Sequence, residues 1–122
     1  MEQVSIRAAT MEDIPALLAF EQGVITAERP FDAGILPDPV HYYNLPEMIH
    51  APHIALMVAV KEGMIVASGY ARIEQARHFY HYQQHAYLGF MFTHPAYRGQ
   101  GINQQIIAAL KQWAIEQKVY DL

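Results

Sequence analysis

Three apolar runs of strand length follow one another closely between residues 54 and 93. Ile54–Val60 and Met64–Gln75 are separated by the sequence KEG, in which Gly63 suits a hairpin turn. His85–Thr93 is the third run. Antiparallel strands accept short connections, whereas parallel strands need a crossover of about a dozen residues or more. These runs therefore predict an antiparallel sheet.

Two further elements are predicted before these strands. Val4–Ala9 alternates weakly and reads as a first strand. Thr10, followed three positions later by an acidic residue, then caps a helix whose apolar spacing reaches about Gln22. The segment from Thr26 to His53 contains five prolines, which break long helices. We expect loops there, with one short helix near Val40–Ile49.

The last predicted element is a helix from Gly101 to about Lys118. Its apolar residues recur at helical spacing and form one face: Ile102, Ile106, Ile107, Leu110, Trp113 and Ala114. The order of strand, helix, irregular segment, three strands and helix predicts a mixed α/β or α+β domain. We expect a single domain over residues 1–122, with a mostly antiparallel sheet flanked by helices.

Composition excludes several classes of protein. The 122 residues suit one domain, and the absence of cysteine removes disulfides, thiolate catalysis and cysteine-bound zinc. The formal charge of −4 comes without a basic stripe, so no nucleic-acid partner is expected. There is no signal-peptide pattern and no apolar run near the roughly 20 residues of a membrane span. We expect a soluble, cytoplasmic protein without membrane contact.

The sequence RGQGIN, from Arg98 to Asn103, lies directly before the last predicted helix. Glycine permits positive φ and lets a ligand approach the backbone, while the free N–H groups of a first helical turn attract anions. Arg98 adds a fixed positive charge that suits phosphate oxygens. The segment therefore predicts a site for a ligand that carries a diphosphate.

Two common phosphate-binding motifs do not fit this turn. A Walker A loop needs Gly-Lys-Ser/Thr, and the dinucleotide motif needs glycine where Gln104 stands. The turn resembles instead the acetyl-CoA motif of the GNAT superfamily of N-acetyltransferases, Arg/Gln-x-x-Gly-x-Gly/Ala after a strand and a proline. Arg98 and Gly101 stand at its fixed positions, whereas Thr93 and Asn103 depart from its usual residues. The N-terminal sequence VSIRAATMEDI also resembles the family's first strand and helix.

The resemblance implies an acyl-CoA N-acyltransferase fold, and an enzyme that transfers acetyl from acetyl-CoA to a primary amine by direct attack. It implies that the backbone of Met91, Phe92 and Thr93 binds the pantetheine arm and polarises the thioester carbonyl. The residues implied to bind the diphosphate through the turn are Arg98, Gly99, Gln100, Gly101, Ile102 and Asn103.

Alternation along the third apolar run predicts which of its residues face the core. Leu88, Phe90 and Phe92 would share one face, which we expect to be core. Gly89 and Met91 would then share the other face, toward the cofactor groove.

The sequence leaves the catalytic base and acid unassigned. Family members that use a glutamate on this strand carry it where Tyr87 stands. Tyrosine is a poor base at neutral pH, so we expect Tyr87 to be a packed strand aromatic. Glu74, His85 or a water relay remain alternatives. Tyr120 comes too early to be the tyrosine that protonates CoA in the family.

Seven histidines raise the alternative of a metal site. His78, His81 and His85 are close in sequence, but positions 78 and 81 of a strand point to opposite faces. A zinc site needs three or four converging ligands. We therefore expect surface or loop histidines and no metal.

The sequence ends at KVYDL, where family members continue with a strand, a helix and a pair of strands. The resemblance thus implies one of two alternatives: a truncated form, or a chain whose missing strand is supplied by another chain, as in a homodimer that completes the sheet. Two functions stay open. One is N-acetyltransfer to a small amine or peptide amine. The other is a catalytically silent acyl-CoA-binding or assembly module.

Overall fold

The computed structural model describes residues 4–28, 43–75 and 84–119. Its strands and α-helices, in chain order, are β1 (Ser5–Ala8), α1 (Ile14–Glu28), α2 (Leu45–His50), β2 (Ile54–Lys61), β3 (Met64–Gln75), β4 (Gln84–Thr93) and α3 (Ile102–Glu116). Short 3-10 turns precede α1 and α3, at Met11–Asp13 and Pro95–Tyr97. The short helix expected near residue 45 is α2. Residues 40–42 of that prediction lie outside the described residues.

The four strands form one antiparallel sheet whose order follows the chain, from β1 to β4. The turn between β2 and β3 places Glu62 at φ 54° and Gly63 at φ 75°. A two-residue turn with both φ values positive is the type I′ hairpin. The predicted hairpin at Gly63 is confirmed, and β1 and β4 are the two edge strands of the sheet in the described part of the chain.

Helices cover both faces of the sheet. One face packs against α1 and α2 through a buried cluster: Leu17, Phe20, Leu45, Met48, Val58, Tyr70 and Phe90. The opposite face packs against α3 through a second cluster: Ala55, Ala59, Val66, Ala67, Ala71, Ile102, Ile106 and Leu110. Alanines on β2 and β3 leave room for α3 to lie close to the sheet. The predicted mixed α/β architecture with an antiparallel sheet is confirmed.

Asp13 fixes the start of α1 relative to β1. Its carboxylate accepts hydrogen bonds from Arg7 Nη1 at 2.7 Å and Arg7 Nη2 at 3.0 Å, and from the Thr10 N–H at 2.8 Å. The hydrogen bonds from Arg7 hold the pKa of Asp13 below its usual range. The predicted start of the helix after Thr10 is thus built from both an ion pair and a cap.

α1 is longer than its sequence pattern predicts. It continues past Gln22 to Glu28, into the segment expected to be loop. Ile25 is completely buried. Gly23 lies so close to the Phe92 ring that a Cβ there would come within 2.8 Å of it. The prediction failed because these last turns are stabilised by packing on distant β4.

A β-bulge interrupts the pairing of β3 with β4. The register changes from the pair Ser68–Phe92 to the pair Tyr70–Gly89. Two residues of β4, Phe90 and Met91, therefore oppose a single residue of β3. Phe90 has φ 50°, in the left-handed region that bulky side chains rarely adopt.

The bulge overturns the predicted alternation of β4. Leu88 packs on the α3 side of the sheet, whereas Phe90 and Phe92 pack on the α1 side. Gly89 faces the α1 side and Met91 the α3 side. The prediction that Leu88, Phe90 and Phe92 share a face is wrong, because the extra residue reverses the alternation.

Candidate functional site

A cavity of about 710 Å³ lies between the end of β4 and the start of α3. Its lining residues are Met91, Phe92, Thr93, Tyr97, Arg98, Gly99, Gly101, Ile102, Asn103 and Gln104. The structure thus brings together every residue named from the motif except Gln100. The side-chain Oε1 of Gln100 accepts instead from Lys61 Nζ at 2.9 Å. The cofactor role of these residues stays a prediction.

The start of α3 directs unpaired backbone donors at this cavity. Gly101 is the N-cap, and the first helical hydrogen bond runs from the Gln105 N–H to the Gly101 carbonyl at 3.3 Å. Within the described ranges no acceptor pairs with the N–H groups of Ile102, Asn103 and Gln104. Such a helix end carries partial positive charge and binds anions. The motif does not include Gln104, although its place as the third helical residue identifies its N–H as one of these donors.

Two glycines shape the turn through their backbone conformation. Gly99 has φ 81° and Gly101 has φ 76°. A Cβ at either position would meet no atom within 4 Å. Glycine is therefore needed for the left-handed backbone and not for internal packing, and the space beside it is open to a ligand.

Arg98 ties the turn to the end of β4. Its Nε donates to the Thr93 carbonyl at 2.9 Å, and its guanidinium carbon lies 5.6 Å from the centre of the Phe92 ring. His94, which follows Thr93 in the sequence, donates its N–H to the Val66 carbonyl of β3 at 2.8 Å. None of the residues that line the cavity is acidic. The positive groups at the cavity are Arg98 and the N-terminal end of α3.

The bulge residue Phe90, directly before the cavity, is held from two sides. Its carbonyl accepts from the Ser68 hydroxyl at 3.2 Å, and its ring stacks on Tyr43 at 4.4 Å between centroids. Tyr43 in turn donates its N–H to the buried carboxylate of Glu21 at 2.9 Å. Left-handed φ at a non-glycine residue costs about 1–3 kcal/mol and is concentrated at functional sites.

A second cavity, of about 300 Å³, lies on the α2 side of the bulge. It is lined by Tyr43, Asn44, Glu47, Met48, His53, Ile54, Tyr70 and Arg72. Because Tyr43 stacks on Phe90, and Phe90 precedes Met91 of the first cavity, the bulge separates the two cavities. Burial raises the pKa of the Tyr70 hydroxyl, so this group keeps its proton at neutral pH.

The candidate bases named from the sequence lie together, but not at the bulge. Glu74 accepts from Arg72 Nε at 2.8 Å and lies 3.3 Å from His85 Nε2. The hydrogen bond to Glu74 raises the pKa of Arg72. His85 precedes Phe90 by five residues, about 16 Å along a strand, which is beyond the reach of direct proton transfer.

Tyr87 is a strand aromatic, as expected, but it lies on the surface and is less packed than predicted. Its side chain is about half exposed, and the Arg72 guanidinium lies over its ring at 5.5 Å.

Other predicted groups are only partly described. His78, His81 and Tyr120 lie outside the described residues. In the part of the chain that is described, no three His, Asp or Glu side chains converge as metal ligands do. No helix within residues 4–28, 43–75 and 84–119 is long and apolar enough to cross a membrane.

An antiparallel sheet whose edge strand leads through a glycine turn into a helix, with a positive cavity at their junction, defines the acyl-CoA N-acyltransferase fold. The sequence model of the acetyltransferase (GNAT) family matches residues 22–122, and the chain belongs to this family. The predicted family is confirmed. Comparison with curated protein sequences finds no match.

Solved structures confirm the fold. A predicted acetyltransferase from Clostridium acetobutylicum, solved with acetyl-CoA, is 19% identical, with a TM-score of 0.75 over 98% of this chain and 78% of that one. An aminoglycoside N-acetyltransferase in complex with CoA is 21% identical, with a TM-score of 0.72 over 99% of this chain and 75% of that one. Glucosamine-6-phosphate N-acetyltransferase from Arabidopsis thaliana is 17% identical, with a TM-score of 0.70 over 98% and 80%.

Proposed function

We propose that this protein transfers the acetyl group of acetyl-CoA to a primary amine in the cytoplasm. The observation that carries the proposal is the cavity at the start of α3. There, three N–H groups without described acceptors and the Arg98 guanidinium surround a volume large enough for a diphosphate and part of a pantetheine arm. Structural neighbours solved with acetyl-CoA or CoA support the choice of ligand.

In this proposal the diphosphate binds the N–H groups of Ile102, Asn103 and Gln104, and the Nη atoms of Arg98. The pantetheine arm runs along the outer edge of β4, beside Met91, Phe92 and Thr93. The Thr93 carbonyl accepts from Arg98 Nε and so faces away from β3. Because the N–H and the carbonyl of one residue in an antiparallel strand point to the same side, the Thr93 N–H also faces outward, where it can donate to the pantetheine arm. The thioester then lies at the bulge.

The acceptor enters from the second cavity, on the other side of the bulge. Its neutral amine nitrogen attacks the thioester carbonyl carbon, and the C–N bond forms as the oxyanion develops. The C–S bond then breaks, CoA leaves as a thiolate, and the amine proton passes through water, so that the products are an acetamide and CoA thiol. Because the pKa of the Tyr70 hydroxyl is raised, this group keeps its proton at neutral pH. In this proposal it serves as a hydrogen-bond donor to the acceptor substrate and not as the base that removes the amine proton.

A silent acyl-CoA-binding module is the second candidate function. It is favoured by one observation: the described residues of β4, Gln84–Thr93, include no carboxylate. Both candidates require the same diphosphate site. A homodimer in which a second copy covers the exposed edge of β4 is compatible with either, and the solution mass tests it.

Two measurements separate these candidates. Calorimetry with acetyl-CoA, CoA and pantetheine tests the site, and we expect pantetheine to bind far more weakly because it lacks the diphosphate. Release of CoA thiol is then followed with a panel of amines that includes an aminoglycoside, a hexosamine phosphate, a polyamine and a peptide. Turnover with any amine establishes the transferase, whereas tight binding without turnover supports the silent module. Absence of CoA binding would contradict both.

A further inference from the structure

We infer that Ser68 is a positioning residue for acetyl transfer: its hydroxyl holds the β4 bulge in the shape that presents Met91–Thr93 to the thioester. The inference rests on the proposed function. Ser68 lies on β3, outside the motif, and no pattern in the sequence points to it.

The burial of Ser68 shows that its hydroxyl has a specific partner. The residue has no exposed surface, and its register partners on the neighbouring strands are Val58 and Phe92, both apolar. A buried hydroxyl is costly unless it forms a hydrogen bond. The bond that Ser68 forms is the 3.2 Å donation to the Phe90 carbonyl, in a buried environment.

The position of that bond is the point at which regular pairing ends. Ser68–Phe92 is the pair adjacent to the bulge, and an inserted residue leaves backbone groups without ladder partners. The Phe90 carbonyl belongs to this insertion, and the Ser68 hydroxyl donates to it at 3.2 Å. The bond thereby favours the left-handed backbone of Phe90 over a regular strand conformation.

Gly69, next to Ser68, provides the space that the bulge needs. A Cβ at Gly69 would come within 2.6 Å of Met91 Sδ and 2.7 Å of an Ile106 methyl group. Two consecutive positions of β3 thus serve the bulge, one with a hydroxyl and one with a missing side chain. Gly69 lets Met91 pack against α3, while Ser68 holds the preceding carbonyl.

Loss of the Ser68 hydroxyl is expected to affect the reacting end of the ligand and not its diphosphate. The bulge can relax toward a regular strand when the Phe90 carbonyl loses its donor, and this displaces the backbone of Met91. A displacement of about 1 Å at a reacting group costs on the order of a hundredfold in rate. The turn at Gly99–Asn103 makes no described contact with Ser68, so affinity for CoA is expected to stay within about twofold.

The test compares Ser68→Ala, Ser68→Cys and a control, Val58→Ala. Val58 is equally buried and pairs with Ser68 on the side away from the bulge. Three properties are measured: CoA affinity by calorimetry, the infrared carbonyl stretch of bound acetyl-CoA carrying 13C at the carbonyl, and acetyl transfer to hydroxylamine above the uncatalysed rate. The stretch reports polarisation of the thioester, which thermal stability alone does not change.

We expect the wild-type protein to lower the carbonyl stretch of acetyl-CoA relative to water. Ser68→Ala should return the stretch toward its value in water and slow transfer about a hundredfold. Ser68→Cys, with a weaker donor of similar size, should give an intermediate result. Val58→Ala should lower the melting temperature but keep the wild-type stretch and rate.

Wild-type stretch and rate in Ser68→Ala would overturn the inference, as would equal losses in Val58→Ala. If the wild-type protein does not bind acetyl-CoA, the proposed function fails, and the amide NMR signals decide on Ser68. The Phe90 and Met91 signals must then move in Ser68→Ala and stay in place in Val58→Ala; unchanged signals overturn the inference.

Discussion

At the scale of single residues, the Nε and Nη atoms of Arg98 have different roles. Its Nε is occupied by the Thr93 carbonyl, which fixes the turn, whereas no described group accepts from its Nη atoms. A lysine in its place keeps the charge but lacks a separate Nε donor for this bond. The motif position therefore serves both the shape of the turn and the charge of the cavity.

Replacing Arg98 with alanine should weaken CoA binding by about 1–3 kcal/mol, the scale of hydrogen bonds to charged groups. Affinity for pantetheine should change much less, because pantetheine lacks the diphosphate. Calorimetry with both ligands measures the difference. Lys111→Ala is the matched control, since it removes one exposed positive charge further along α3. Equal losses for the two ligands would show that Arg98 acts on the turn and not on the diphosphate.

Gly101→Val should abolish measurable CoA binding, because the side chain fills the space beside the unpaired N–H groups. It should also cost about 1–3 kcal/mol in unfolding free energy, because Gly101 has φ 76°. Gly63→Val is the control for strain, since Gly63 has nearly the same φ of 75° but lies in the β2–β3 hairpin and does not line the cavity. Chemical denaturation and calorimetry on both variants separate strain from blockage. Wild-type affinity in Gly101→Val would exclude close contact between ligand and backbone there.

At the scale of elements, the N-terminal end of α1 is joined to β1 by one carboxylate. The Asp13 carboxylate accepts hydrogen bonds from both Nη atoms of Arg7 and from the Thr10 N–H. Arg7 is 45% exposed, so solvent screens the ion pair, and most of the stabilisation comes from the cap. Further along, α1 packs against β4, where Gly23 lies close to the Phe92 ring.

Asp13→Asn should cost about 1–2 kcal/mol in unfolding free energy at neutral pH. The pKa of Asp13 is lower in the folded protein than in the unfolded chain. The contribution of ionised Asp13 to the unfolding free energy is therefore complete above its pKa in the unfolded chain, about 3.9. It is lost as pH falls through the pKa in the folded protein. Urea titrations from pH 7 to pH 3 should show the wild-type protein converging on the variant. A gap that stays constant down to pH 3 would contradict this assignment.

At the scale of the whole molecule, Phe90 lies between the two cavities, and segments distant in sequence contribute to its position. β3 supplies Ser68, and the segment before α2 supplies Tyr43, which is held by Glu21 of α1. The reacting centre proposed here is thus assembled from four segments that are distant in sequence. Its geometry depends on the packing of α1 and α2 as much as on the motif.

Glu21→Leu should remove the acceptor of the Tyr43 N–H and loosen the stacking of Tyr43 on Phe90. We expect a loss of about 1–3 kcal/mol in unfolding free energy, together with a slower acetyl transfer at unchanged CoA affinity. Glu21→Gln keeps an acceptor oxygen and should stay close to the wild-type protein in both measurements. If Glu21→Gln were as impaired as Glu21→Leu, the charge of Glu21 and not its hydrogen bond to Tyr43 would be the important property.

The sequence alone determined the antiparallel sheet, the hairpin at Gly63, the buried face of α3 and the turn from Arg98 to Asn103. Each of these follows from local rules: alternation, helical spacing, and the φ values that only glycine adopts easily. Tertiary structure decided the length of α1, because its last turns are stabilised by Phe92. It also decided the faces of β4, because one inserted residue at Phe90 reverses the alternation, and that insertion is defined only by pairing with β3. The role inferred for Ser68 depends on tertiary structure for the same reason. Its buried hydroxyl donates to the Phe90 carbonyl across the sheet, and nothing in the local sequence identifies that partner.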